Sequence, residues 1–189
     1  MKSLQFFLLI FPTILFAQNQ IVKSDFDGDK IMDKVYFDSE SGMVICQLSS
    51  EKFKKVKTNS YNDDGTLSLG KTKNGFEISV SQMRAGNSFQ FRYEKESKKM
   101  RLIGMWRSEF GPANNDGSGE SSVNLLTNNY IGDWNYYDVK KSKLVKIPSI
   151  KKKMIFPKIY FDDLGDVFYK YMDQDVKYYE AEKKRLYHD

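Results

Sequence analysis

Residues 88–94 read SFQFRYE, and the alternation in this stretch decides the fold. Successive side chains of a strand point to opposite faces, so Phe89, Phe91 and Tyr93 share one side while Gln90, Arg92 and Glu94 share the other. A helix would scatter the three aromatics around its circumference. The same kind of unit recurs outward in both directions: KVYF (34–37), GMVICQL (42–48), TLSLG (66–70) and GFEISVSQ (75–82) precede it. MRLIGMWRSEF (100–110), SVNLLT (122–127) and WNYYDV (134–139) follow. Each run is short and rich in β-branched or aromatic residues. Turn-forming residues stand between them, as SESG at 39–42, NDDG at 62–65, KNG at 73–75, AGN at 85–87 and GPANNDGSGE at 111–120. Regular spacing of this kind predicts a mainly β chain, an antiparallel meander forming a sandwich or barrel.

The tail follows a different period. Leu164, Val167, Phe168, Tyr171, Met172, Val176 and Tyr179 recur at steps of three and four, which predicts one C-terminal α-helix over about 162–186. Asp162 is placed to cap it, and Gly165 weakens it by about 1 kcal/mol. The apolar stripe is expected to pack on the sheet of the same domain. Ahead of the helix, Lys140, Lys141, Lys143, Lys146, Lys151, Lys152, Lys153 and Lys158 stand with no acid between Asp138 and Asp162. They read either as a basic surface for an anionic partner or as a solvated edge strand, where lysine discourages edge-to-edge pairing. Without arginine or periodic aromatics among them, the edge strand is the preferred reading.

At the other end, MKSLQFFLLIFPTILFA carries one basic residue, an apolar run and a small residue at its close, the pattern of a secretory signal peptide cut near Ala17. Residues 18–189 are then expected to form one β-rich domain, secreted or periplasmic, without a transmembrane segment. Loss of the leader and its single lysine leaves 172 residues and a formal charge of +4. Such a weak balance, evenly mixed with acids, does not point to a nucleic-acid partner. Cys46 stands alone among Val44, Ile45 and Leu48, so it forms no intramolecular disulfide and reads as a small buried hydrophobe.

The residue inventory excludes several chemistries. His188 is the only histidine and lies one residue from the end, which argues against a Ser-His-Asp or Cys-His nucleophile and against a His/Cys zinc site. Neither G-x-x-x-x-G-K-[ST] nor G-x-G-x-x-G occurs. No catalytic residue is assigned. Hydrolysis by a carboxylate pair needs only Asp and Glu and stays open as a third reading, with no positive signal for it.

One stretch carries positive chemistry: DFDGDKIMD at 25–33. Four aspartates crowded around one glycine repel one another unless a cation neutralises them, and Ca²⁺ takes six to eight oxygen ligands. Asp25, Asp27, Asp29 and Asp33 would supply side chains, Ile31 a carbonyl, and Gly28 the bend. The competing reading is an acid-rich turn without metal.

This stretch resembles the D-x-D-G-D-x-x-x-D calcium loops of FG-GAP and integrin-type repeats and of dockerin modules, which are EF-hand-like. The resemblance implies a bound Ca²⁺, and the following KVYFD fits the FG-GAP arrangement in which the loop runs into a strand. It covers about a dozen residues and occurs once, so no propeller follows from it. Lys30 replaces the usual sixth-position glycine, and Tyr36 stands where an EF-hand has its bidentate glutamate. More faintly, the leader, the aspartate loop, FRYEKESKKMRLIG and SVNLLT together resemble periplasmic proteins related to bacterial lysozyme inhibitors. That resemblance implies a partner of the cell-wall hydrolase class, met by an S-G-x-x-Y loop. Ser118 and Gly119 begin such a loop beside Asp116, with Ser121 where the tyrosine would stand. A plain hairpin over 111–120 is the simpler reading. The leading expectation is a non-enzymatic exported β-domain that binds another protein and carries one structural Ca²⁺.

Overall fold

A computed structural model describes residues 20–58 and 65–187. The leader read at 1–17, most of the NDDG turn and His188 lie outside the described residues. Twelve strands and one helix are formed within them. The first sheet has the order β1 (Ile21–Ser24), β2 (Asp33–Asp38), β3 (Met43–Gln47), β4 (Val56–Lys57). The larger sheet runs through β5 (Thr66–Thr72), β6 (Gly75–Ser81), β7 (Ala85–Glu94), β8 (Lys99–Glu109), β9 (Gly119–Asn124), β10 (Asn129–Asp138) and β11 (Lys143–Lys146), with β12 (Ile150–Lys153) also on β10. Every pairing is antiparallel between sequence neighbours except β10 with β12, and β5 does not pair with β11. The meander therefore forms two open sheets and no closed barrel, followed by α1 (Val167–Leu186).

The alternation read from SFQFRYE holds. Phe89 and Phe91 are buried, while Gln90 and Arg92 are exposed. Phe76 stacks on Phe91 at 5.2 Å between ring centroids, and Phe161 meets both rings edge-on at 5.6 and 5.4 Å. Val35, Val44 and Cys46 of the first sheet join the same core. Cys46 is 2 % exposed, and burial, followed by the nearby charges of Asp33 and Asp27, pushes its thiol pKa upward. It packs as the small hydrophobe that its neighbours in sequence indicate.

In β8 a strict alternation fails, and the register explains how the strand recovers. Gln90 pairs with Gly104 but Phe91 pairs with Leu102, leaving Ile103 as the extra residue of a bulge. Leu102 and Met105, three apart, thereby both reach the core at 0 and 2 % exposure. Other boundaries differ from the sequence reading. AGN at 85–87 lies inside β7, and the reversal falls at 82–84, closed by Gln82 N–H donating to Ala85 O at 2.8 Å. Leu125 to Thr127 leave the strand because the Asn124 side chain accepts from Leu126 N–H and Thr127 N–H, an Asx turn that β propensity does not reveal. The short strands β1, β4, β11 and β12 were not marked by any alternating run. The lysines of β11 and β12 occupy edge strands, as the preferred reading of that segment holds.

The helix begins five residues later than its period predicts. Gly165 takes a left-handed φ of 49°, which breaks the helical path ahead of Val167. Asp162 is not its cap but pairs with Lys99 at 2.8 Å. The buried side chains of α1 are Val167, Tyr171, Asp175 and Tyr179, a row at i+4 steps, whereas Val176 is exposed. An aspartate thus sits in the middle of the packed face.

Asp175 is fully buried and satisfied on both oxygens. Oδ2 accepts from Arg107 Nη1 at 2.5 Å and from Ser121 Oγ at 3.1 Å. Oδ1 accepts from the Tyr130 hydroxyl and from Trp134 Nε1 at 3.2 Å. Because Ser121 gives its proton to Asp175, the Tyr171 hydroxyl 2.6 Å away donates to Ser121. Burial raises the pKa of Tyr130 and Tyr171, and the hydrogen bond from Tyr130 to Asp175 adds to the rise of Tyr130. Arg107 lies over the Trp134 ring at 5.1 Å and also meets Glu109. The network joins β8, β9 and β10 to the helix and fixes which turn of α1 faces the sheet.

Candidate metal centre

The loop from β1 to β2 is built from local hydrogen bonds that the aspartates make to the backbone ahead of them. Asp25 Oδ1 accepts from Gly28 N–H at 2.7 Å and its Oδ2 from Lys30 N–H at 2.9 Å. Asp27 Oδ1 accepts from Asp29 N–H at 3.2 Å, and Asp29 Oδ1 from Ile31 N–H at 2.7 Å. Aspartate favours such turns because its short acceptor reaches the backbone two or three residues on. The coil needs left-handed backbone at two points: Gly28 at φ 87° and Lys30 at φ 72°. Lysine at the second point accepts a steric cost of about 1–2 kcal/mol that glycine would avoid.

The turn brings carboxylate oxygens of Asp25, Asp27 and Asp29 within 4.8 Å of one another. Asp27 is buried at 8 % exposure, and the other two are exposed. The β3–β4 connection helps hold them: Ser50 N–H and Oγ donate to Asp27 Oδ2 at 3.2 and 2.6 Å, and Ser49 Oγ donates to Asp29 Oδ2 at 2.7 Å. Three hard oxygen donors this close together are of the type that Ca²⁺ or Mg²⁺ takes rather than a softer metal. Oxygens that accept a single hydrogen bond keep a lone-pair position for an ion. Lys30 makes no ion pair with these carboxylates.

Asp33 is placed differently. It is fully buried, with Oδ2 accepting from Phe26 N–H at 2.6 Å and Asp27 N–H at 3.3 Å, and Oδ1 from Ser49 N–H at 2.7 Å and Ser49 Oγ at 3.0 Å. Its lone-pair positions are taken by protein donors, so it pins both loops to the start of β2 and stands apart from the three converging acids. The Ile31 amide serves Asp29, and its side chain is 54 % exposed. Ser49 and Ser50, sixteen or more residues away, carry no motif that would have marked them as supports of this loop.

The 111–120 turn is drawn down onto the sheet. Asp116 Oδ1 accepts from Tyr137 N–H at 2.6 Å, and its Oδ2 lies 3.7 Å from Lys183 Nζ. Ser118 is 8 % exposed and its carbonyl accepts from Asn135 N–H at 2.8 Å, while Gly119 at φ 144° lets the chain enter β9 against Asp133 and Trp134. The outward crest belongs to Pro112–Asn115, which are exposed.

No protein-family profile, curated protein or solved structure matches this chain.

Proposed function

We propose that this chain is a non-enzymatic, exported β-domain that binds another molecule, and that its 25–33 loop holds one structural Ca²⁺. The observation that carries the metal reading is the convergence of Asp25, Asp27 and Asp29 within 4.8 Å on a loop whose backbone is already shaped around them. Those three residues would ligate the ion, with Asp33 acting as a staple beneath them. The ion would offset the mutual repulsion of the acids and fasten β1 and the 48–50 turn to the first sheet. The non-enzymatic reading rests on the residue inventory, and among the described residues the buried cluster around Asp175 is taken up in docking α1.

Calorimetric titration with CaCl₂, joined to thermal melts in Ca²⁺ and in EDTA, tests this. One site is expected, with a stabilisation of about 2.7 kcal/mol when free Ca²⁺ is a hundred times Kd. Asp25→Asn and Asp29→Asn should weaken Ca²⁺ binding while leaving the EDTA melt nearly unchanged. Asp33→Asn should lower the EDTA melt as well, because it disturbs a buried acceptor. Absence of any Ca²⁺ heat, together with the same melting temperature in EDTA, refutes the metal reading. Assays against lysozymes test the inhibitor alternative, in which the 111–120 loop meets the enzyme; lack of inhibition across lysozyme types removes it.

A further inference from the structure

The larger sheet covers the core with one face and turns the other to solvent. On that outer face the registers assemble two cross-strand rows. One runs Glu77, Gln90, Gly104, Asn124, and the next runs Ser79, Ser88, Trp106, Ser122. The bulge at Ile103 is what brings Gly104 and Trp106 to this side while Leu102 and Met105 remain in the core. Together these residues line a depression of about 550 Å³.

Trp106 lies across the strands. Its Nε1 donates to Glu120 Oε2 on β9 at 3.2 Å, and its Cζ3, on the far edge of the indole, is 3.5 Å from where a side chain on Gly86 of β7 would begin. With its two edges held over the strands on either side of β8, the part-exposed indole borders the depression. Its row neighbours Ser88 and Ser122 are small.

Beside the indole, Gly104 leaves the floor bare between two amides of opposite polarity. Gln90 Nε2 donates to Glu77 at 2.8 Å, which leaves Oε1 as an acceptor 3.8 Å from where a Gly104 side chain would start. Asn124 Oδ1 accepts from Leu126 N–H at 2.9 Å and Thr127 N–H at 3.1 Å, so its Nδ2 is left as a donor. The two residues stand two strand spacings apart, roughly 9–10 Å between backbones. Among the lining residues, Glu77 and Arg92 are the charged side chains, one of each sign. The depression therefore offers no net charge to a polyion, but it offers an aromatic platform with an acceptor and a donor fixed by other bonds.

We propose that this face is a binding site for a neutral oligosaccharide, with one pyranose ring stacked by its C–H face on Trp106 and the next over Gly104. A hydroxyl of the second ring would donate to Gln90 Oε1, and another would accept from Asn124 Nδ2. A sugar presents apolar C–H faces and donor-acceptor hydroxyl edges at the same time, which is the combination these side chains complement. The proposal deepens the binding-module reading and is independent of the metal loop.

The test is titration of the protein in Ca²⁺-containing buffer with cellotetraose, chitotetraose and maltotetraose, followed by tryptophan emission, and a screen on an array of neutral glycans. Trp134 is buried at 3 % exposure and supplies a constant background, so a saturable emission change reports Trp106. At least one neutral glycan is expected to bind, with an affinity that high salt leaves unchanged. Trp106→Ala removes the fluorescent reporter and is titrated calorimetrically with the glycan that the parent binds; it should weaken binding by about tenfold or more. Asn124→Asp keeps the acceptor for the turn and removes the donor, so it should weaken binding about three- to tenfold while the melting temperature stays close to that of the parent. No saturable response to any neutral glycan up to about 10 mM overturns the proposal. So does a response that persists in both variants, or binding confined to anionic glycans and abolished by salt. A negative result here leaves the Ca²⁺-dependent melt untouched, so the two readings fail separately.

Discussion

Removal of the Asp175 carboxylate tests the account of how α1 is docked. In Asp175→Ala, Arg107 stays buried at 6 % exposure with Glu109 as its remaining carboxylate, and that partner's side chain is 40 % exposed. Tyr130, Trp134 and Ser121 lose their acceptor at the same time. Breaking one side of a buried ion pair costs about 3–5 kcal/mol, and each buried donor left without a partner adds on the order of 1 kcal/mol where water cannot reach it. Water entering the space left by the carboxylate offsets part of this, so about 3–5 kcal/mol overall is expected. Against a typical domain stability of 5–15 kcal/mol, that is a large fraction, and at 2–4 °C per kcal/mol it lowers the melting temperature by roughly 6–20 °C. Urea unfolding followed by far-UV circular dichroism measures it. The double variant Asp175→Leu with Arg107→Met removes both charges and should recover much of the loss, since an apolar pair of similar volume is often as stable as the ion pair. A loss below about 1 kcal/mol for Asp175→Ala refutes the reasoning, as does a double variant no more stable than the single one.

Two further outcomes follow from shifted titrations. Glu94 is held down to about 2 by the hydrogen bond from Tyr160 at 2.7 Å, then by Lys158, with Ser97 and Arg101 adding to it. A carboxylate with a lowered folded pKa contributes stability that is complete above its ordinary value near 4.5 and disappears as pH falls towards 2. The urea midpoint should therefore fall less steeply across that window in Glu94→Gln than in the parent, and equal slopes would contradict the assignment. The raised pKa and 2 % exposure of Cys46 predict a thiol inert to iodoacetamide in the native protein and labelled only as it unfolds, measured by mass spectrometry; labelling at the rate of a free thiol in native conditions would overturn this.

How much could be read along the chain varies with the range of the interaction. Strand identity in SFQFRYE needed only the side-chain alternation of a single run. The DFDGDKIMD turn was equally local, because its aspartates bond to amides two to five residues ahead. Asp33 was not legible in the same way: spacing groups it with the ligands, but Ser49 of the β3–β4 connection takes one of its oxygens while the Phe26 and Asp27 amides take the other. Asp175 was hidden for a related reason. A helical period scored on apolar residues passes over an acid, and only the arrival of Arg107, Ser121, Tyr130 and Trp134 from three strands makes its burial tolerable.

The sequence by itself determined the β class, the C-terminal helix, the buried character of Cys46 and the acid loop, since each rests on periodicity or on contacts within a few residues. Tertiary structure alone decided that the meander stays as two open sheets, which turn of the helix meets the sheet, and which aspartates converge. It also decided the outer face, where a one-residue bulge in β8 lays Trp106 and Gly104 beside Gln90 and Asn124. That juxtaposition depends on register between strands, which the pattern within any single strand does not encode.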